Sequence, residues 1–373
     1  MRTLAQKLTL AGALLVLIVG LAWAEDEVER RTSKIPLRGQ ITDESPDALT
    51  IQRKDNGKSE TVPINELETV KYDSEVGKAA HQAYIAFEKG GDYQKAADAY
   101  AKAAQGTDAK GFAMAAAKFG RVRSLVRMAQ RDAGRVDEAV AALEEFRKEH
   151  ANTRFHYTLH EMLGQLYLTQ GKAQPARTAF AEIAKAPWSD YKLKATVYEG
   201  RVLLLAGQID QAIAKFNEVA KSDGDSSQEK LHRQEALVGK SDCLVKQQKY
   251  DEAEKTLREV IDAAAGDESS VQAPAFNLLG DVQRETGKPK DAILSYLYVD
   301  LLFSGERSEH AKALAYLAQL WDQVGRADRA DDARARLRDS YPNSPWAKQL
   351  GESAPKGESK PEAVQAKPEK KAE

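Results

Sequence analysis

The chain has 373 residues, 42% of them apolar and 7% aromatic, with a formal charge of −2 at neutral pH. That length allows one elongated array or two ordinary domains, and abundant alanine with few aromatics favours helices over a β-sandwich. Near-neutrality gives no sign of a polyanion partner, and a single cysteine, Cys243, excludes an internal disulfide and the multi-cysteine zinc patterns.

The first element in chain order reads as a leader. Arg2 and Lys7 precede an apolar run from Leu8 to Leu21, and Ala22-Trp23-Ala24 follows as a small-x-small cleavage site. The run is too short for a comfortable membrane span. Residues 1–24 are therefore expected to be a signal peptide, with an uncleaved signal anchor as the competing reading. The mature chain is expected to be exported to the periplasm with no stable membrane span, and no cysteine near the cleavage site is available for a lipoprotein anchor. The acidic stretch after Ala24 reads as an exported mature terminus. Without the leader the chain keeps 53 basic and 57 acidic side chains. In an exported protein the lone Cys243 reads as a buried small hydrophobe rather than a catalyst.

Between about Lys34 and Tyr72 the pattern turns to short alternating stretches. Leu37, Gly39 and Ile41 alternate with polar residues, as do Leu49, Ile51 and Arg53, and Asp55-Asn56-Gly57 is a tight-turn signal. Four or five short strands over residues 34–73 follow from this, and the layout resembles a small SH3-like or Sm-like barrel. A module this small has a marginal core by itself and is expected to lean on the first helix after it, covering the apolar face around Tyr84 and Phe87. Residues 74–350 read as helical throughout. Residues 351–373 mix Pro, Glu, Lys and Ala without large apolar side chains and are expected to be disordered.

Within the helical stretch one pattern recurs every 36 to 43 residues, at slots 91, 134, 171, 207, 248, 287 and 325. Each slot holds glycine except Gln248. An alanine follows five residues later (Ala96, Ala139, Ala176, Ala212, Ala253, Ala292, Ala330). An aromatic or leucine comes four beyond that (Tyr100, Leu143, Phe180, Phe216, Leu257, Tyr296), and Arg334 takes that place in the last unit. A fixed period near this length marks a solenoid of helix pairs. The slot ends helix A in a left-handed conformation, a polar residue such as Asp137, Asp210, Asp251 or Asp328 opens helix B, and the alanine sits where two helices cross closely. Longer helices or loops are expected around residues 105–111 and 221–228.

Helix A carries matching residues. Leu163, Gly164 and Tyr167 precede Gly171; Leu279 and Gly280 precede Gly287; Gly200 precedes Gly207; in the second unit Arg127 stands in the glycine position. Leu-Gly, Tyr, Gly, Ala and Phe at these spacings resemble the tetratricopeptide repeat family, most closely from Leu163 to Phe180. The resemblance implies a mainly α protein: a right-handed α-solenoid of about seven helix pairs preceded by the small β-barrel-like module. The segment Tyr341 to Ala347 is similar to the joints between repeats in periplasmic proteins of this family, including cell-division coordinators and outer-membrane assembly factors. Pro342 stops one helix there and Ser344-Pro345 opens the next.

The family binds protein segments on the concave surface lined by helix A. Carried over by the register of Gly164, the inward positions are Lys78, His81, Arg121, Arg131, Glu161, Gln165, Lys194, Arg201, Glu235, Asp242, Asn277 and Asp281. This set is basic toward its start and acidic toward its end, which suits an extended peptide or a partner helix. The resulting expectation is a non-catalytic exported scaffold for other proteins or peptides, with no cofactor, metal or nucleic acid. An alternative comes from Lys110, Lys118, Arg121, Arg123, Arg127, Arg131 and Arg135. Three of these, spaced by four, put Arg123, Arg127 and Arg131 on one helix face that could accept an anionic cell-wall polymer.

His156 and His160 have the spacing of a zinc pair, but Tyr157 stands where a metalloprotease needs glutamate, and no third ligand is legible nearby. They are read as helix-surface histidines. Residues 222–228 alternate aspartates as a calcium loop does, yet lack its later acidic ligand and read as an inter-repeat loop with a helix cap.

Overall fold

The structure is a computed structural model that describes residues 25–107, 111–264 and 268–352. The expected signal peptide and all but the first two residues of the expected tail lie outside the described residues.

Five antiparallel strands come first: β1 (Asp26–Arg30), β2 (Ser33–Glu44), β3 (Ala48–Arg53), β4 (Ser59–Pro63) and β5 (Leu67–Lys71). They lie in the order β4-β3-β2-β1-β5, and a 3-10 turn at Ile64–Glu66 joins the two edge strands in sequence. Alternation sets the inner face, where Val28, Leu37, Ile41, Leu49, Ile51 and Val62 are buried. The Asp55–Gly57 turn closes the β3–β4 hairpin with Gly57 at φ 69°. The sheet begins ahead of Lys34, because the acidic stretch read as a free terminus is strand β1. A single apolar side chain, Val28, carries that strand's burial. Its charges are used locally: Asp26 accepts from the Ile41 and Asp73 amides at 2.8 and 2.9 Å, and Glu27 and Glu29 accept from Lys71.

Fourteen helices then form seven antiparallel pairs. They are α1 (Glu75–Ala83, prolonged by a π turn at Tyr84–Glu88) with α2 (Tyr93–Ala103), α3 (Phe112–Arg131) with α4 (Val136–Glu149), and α5 (His156–Thr169) with α6 (Ala173–Ile183). Then come α7 (Ser189–Leu205) with α8 (Ile209–Ala220), α9 (Ser227–Lys246) with α10 (Tyr250–Ala263), α11 (Ser269–Glu285) with α12 (Pro289–Leu302), and α13 (Arg307–Gln323) with α14 (Ala327–Ser340). A last helix, α15 (Pro345–Glu352), follows Pro342, and Ser344 Oγ accepts from the Ala347 amide at 3.1 Å. The longer period is met by the 20-residue helices α3 and α9. The segment read as an inter-repeat loop with a helix cap holds that cap: Ser226 and Glu229 form a reciprocal capping box at the start of α9.

Six of the seven slots are left-handed, five of them glycines at φ 71–79° and the sixth Gln248 at φ 60°. Gly134 departs from the expectation. Asp132 accepts from its amide at 2.9 Å and winds a 3-10 turn (Ala133–Arg135) in place of the left-handed step. All seven slot-plus-five alanines are fully buried. The helix A glycines lie against helix B rings. A Cβ at Gly200 would stand 2.6 Å from Phe216 and one at Gly280 2.7 Å from Tyr296, with Gly164 tighter still against Phe180. Two glycines outside the sequence pattern do the same between neighbouring pairs: Gly239 of α9 abuts Phe216 of α8, and Gly120 of α3 abuts Tyr100 of α2.

The sheet shares one core with α1, α2 and α3. Phe87 packs into it, but Tyr84 stays 40% exposed, so the expected cover over Tyr84 is not there. The sheet instead reaches two pairs further along. Asp47 accepts from the Tyr157 hydroxyl at 2.7 Å, and buried Glu44 accepts from Tyr72 and faces Arg154 at 3.6 Å. At the other end the array curls back on itself: α13 touches α3, and Asn343 donates to Asp132 at 2.7 Å.

Two outcomes follow. Gln248→Gly should stabilise the chain by about 1 kcal/mol, because a side chain in the left-handed region costs roughly 1–2 kcal/mol and glycine returns part of that as entropy; a denaturant midpoint that falls instead would contradict the backbone geometry. Arg154→Met should cost about 2 kcal/mol by removing the guanidinium that faces the buried Glu44 carboxylate and donates to Tyr72. Adding Glu44→Gln should recover much of the loss, which hydrogen exchange across β2 and β3 would report.

Candidate partner-binding groove

The A helices from the third pair onward line a cavity of about 870 Å³, with α15 on its wall. Its apolar surface comes from Leu168, Leu204, Leu205, Val238, Val271, Leu278 and Trp346. A second hollow of about 440 Å³ shares Asp242, Lys246, Leu278, Lys312 and Trp346 with it and extends to Asp281, Arg284 and Tyr316. Pro274 and Ser270 both face the first cavity, and the proline has no N–H to donate to the Ser270 carbonyl one turn before it.

Polar groups in the groove pair from one A helix to the next. Glu161 of α5 accepts from Tyr198 at 2.6 Å and Lys194 at 3.0 Å of α7, and Gln165 donates to the same Tyr198 hydroxyl at 2.8 Å. Arg201 lies over the Tyr198 ring at 5.4 Å. Burial tends to raise the Glu235 carboxyl, but the hydrogen bond from His232 at 2.9 Å and the charge of Arg201 hold it below the usual range. Asp281 accepts from Tyr296 at 2.7 Å and from Lys312 at 2.6 Å. Burial disfavours the Lys312 ammonium, yet the charges of Asp281 and Glu309 keep it protonated above its ordinary value. Asp242 differs from the rest. Its side chain is 37% exposed to the cavity, Lys246 comes no closer than 4.0 Å, and the surrounding chain pushes its carboxyl up by burial. The adjacent Cys243 is buried and its thiol is pushed up to about 12, which leaves it inert.

Of the inward positions read from the sequence, Glu161, Gln165, Arg201, Glu235 and Asp242 line the main cavity and Asp281 the second. Lys194 enters through its bond to Glu161. Asn277 is fully buried and donates to the Glu309 carbonyl and carboxylate at 2.9 and 2.6 Å, a structural tie between pairs. Lys78, His81, Arg121 and Arg131 do not line either cavity. Lys78 pairs with Asp73, and Arg131 stacks on Tyr93 and donates to the Gly91 carbonyl at 2.8 Å. In place of the expected basic-to-acidic gradient, Lys194 and Lys312 each reach the carboxylate of a neighbouring A helix, Glu161 and Asp281. Trp346, Leu205 and Pro274 were missed. Trp346 belongs to the helix after the last repeat, and nothing local in the sequence says that this helix folds back over the cavity.

The basic stripe is also spent internally. Arg123 makes a two-pronged contact to buried Glu88 at 2.5 and 2.8 Å and reaches Tyr100, while Lys118 pairs with Glu149 at 2.7 Å. Arg121 and Arg127 remain exposed, and Lys110 lies outside the described residues.

The two histidines correct the sequence reading further. His160 is 4% exposed rather than a surface group, and Glu182 at the end of α6 supplies the third side chain that the sequence did not show. Burial pushes the His160 imidazole down to about 4, so it is neutral at neutral pH.

A curved array of antiparallel helix pairs, with glycine-against-aromatic contacts and a hollow on its A-helix side, is an α-solenoid. Sequence models of the tetratricopeptide repeat match residues 128–191 and 203–273, so the chain carries tetratricopeptide repeats over those stretches. Among solved structures it is similar to a tetratricopeptide repeat protein from Parabacteroides merdae (16% identity, 74% of this chain and 98% of that one, TM-score 0.48). It is also similar to the type IV pilus biogenesis factor PilW (17%, 61% and 96%, 0.39) and to PilF of Pseudomonas aeruginosa (13%, 63% and 96%, 0.37). No curated protein matches the chain. Among the described residues no helix is long and apolar enough to cross a membrane.

The unusual ionisation of Asp242 has a consequence for stability. Its folded carboxyl binds a proton more readily than the unfolded one, so stability declines as pH rises through the carboxylate range. Asp242→Asn should therefore stabilise the chain at pH 7 and change little below about pH 3, where both states are protonated. Denaturation at the two pH values measures it, and an equal effect at both would mean that burial of charge is not the cause.

Proposed function

We propose that this chain is a non-catalytic scaffold that holds an extended segment or a helix of a protein partner in the concave groove of its repeats. The observation that carries this reading is the continuity of the groove: A helices of five successive pairs and α15 supply one cavity that alternates apolar patches with paired charges. An extended peptide can use such a surface, its side chains entering the apolar patches and its backbone meeting the polar pairs. The main cavity carries Glu161, Glu235, Asp242, Glu306 and Glu309 against Arg201, Lys246 and Lys312. That surplus of carboxylates favours a neutral or basic segment with large apolar side chains.

We further propose that the chain works in the periplasm after loss of residues 1–24, on the strength of the Arg2/Lys7, apolar run and Ala22-Trp23-Ala24 pattern. The wall-polymer alternative has less support, since Arg123 and Arg131 already hold Glu88 and the Gly91 carbonyl.

Leu205, 43% exposed on the cavity wall, is the best position for the test. A photocrosslinking residue placed there in cells should capture a protein partner, and one at Arg121 should not. Leu205→Lys should weaken the captured complex about tenfold or more, some 1.4 kcal/mol, with the unfolding midpoint unchanged. Capture from Arg121 and Arg127 in place of Leu205 would overturn the assignment.

A further inference from the structure

The cluster formed by His156, His160 and Glu182 is outside the groove and is not used by the binding reading. His156 and His160 lie one turn apart at the start of α5, and Glu182 comes from the last turn of α6. One ligand atom from each lies within 4.8 Å of the other two. His156 Nδ1 is 3.2 Å from the Ala151 carbonyl, so this nitrogen carries the proton and donates it. Nε2 then bears a lone pair, and it faces Glu182 Oε2 at 3.7 Å, too far for a hydrogen bond. His160 Nδ1 is buried with no hydrogen-bond partner. One nitrogen of each imidazole and one carboxylate oxygen thus lie within reach of a single point, and a cation would satisfy such a set.

We propose that His156, His160 and Glu182 bind a divalent transition-metal ion of the zinc class. Two imidazole nitrogens and one carboxylate oxygen suit that class, and a carbonyl bond on the far nitrogen of a ligating histidine is the usual outer support. Three protein donors leave the fourth tetrahedral position to water. Lys185 currently holds both Glu182 oxygens at 2.7 and 2.8 Å, but its side chain is 66% exposed and can swing into solvent when the ion enters. The ion would tie the first turns of α5 to the end of α6. Tyr157 and Arg154, which hold the sheet, flank the first of those turns.

The test uses the purified protein, stripped with a chelator and titrated with Zn²⁺ by calorimetry, with Co²⁺ as a visible-absorption probe of four-coordinate nitrogen and oxygen ligation. One Zn²⁺ per chain is expected, together with a rise in the unfolding temperature. His156→Gln and Glu182→Gln, both at partly exposed side chains, should each weaken binding by about 10-fold or more. Lys185→Ala should tighten it by removing the competing ammonium, a gain that misfolding cannot mimic. No uptake of either ion, or uptake indifferent to His156→Gln and Glu182→Gln, would overturn the proposal.

Discussion

The tightest contacts in the array are rings resting on glycines. Phe180 on Gly164, Phe216 on Gly200 and Tyr296 on Gly280 bring helix A and helix B of a pair so close that not even a methyl group fits between them. The buried alanine four residues before each ring keeps the same crossing narrow on its other side. Because ring and glycine each occupy one position per helix, the contact fixes both the rotation of the helices and their relative translation. Phe216 shows how this spreads along the chain. It is clamped between Gly200 of its own pair and Gly239 of the next, so the packing inside one pair sets the placement of its neighbour.

Stacking with a small constant turn has a cumulative result. After seven pairs α13 lies against α3, and Asn343 meets Asp132. The concave side is then walled on several sides, and α15 adds Trp346 to it. Charges that would face solvent in a flat array come within reach of one another. Glu161 finds Lys194 and Asp281 finds Lys312, each with a tyrosine hydroxyl as second donor. Part of the groove's charge is thereby neutralised locally, and a surplus of carboxylates is left along the main cavity. Asp242, lacking a close donor, is the exception.

The sheet is joined to the array in two ways of different character. Its core runs on into α1, α2 and α3 as ordinary apolar packing. Its second attachment, through Glu44, Tyr72, Arg154, Tyr157 and Asp47, is polar and partly buried. Apolar contact tolerates sliding, whereas a buried carboxylate facing a guanidinium does not, so the polar contact sets the angle at which the sheet meets the third pair.

The repeat was legible in the sequence because it is made of local requirements. A left-handed helix end, a small residue at a crossing and a ring one turn later each leave a mark at a fixed spacing, and Gly171, Ala176 and Phe180 stand where those spacings put them. The same reasoning failed at Gly134, where a nearby aspartate offered the backbone a different turn, and at Asp26–Arg30, where one valine among charges hides a strand. It put Glu161, Gln165, Arg201, Glu235 and Asp242 on one side of the A helices, where they line the cavity, since that follows from helix register. It could not see that Arg131 turns back to Gly91, that Glu182 of α6 meets His156 and His160 of α5, or that Trp346 packs on Tyr316 of α13 and joins the cavity wall. Those depend on side chains brought together by the crossing angle of two helices and by the accumulated curl of seven pairs. Neither quantity is written at any one position, because each is a sum of small packing displacements over the whole array.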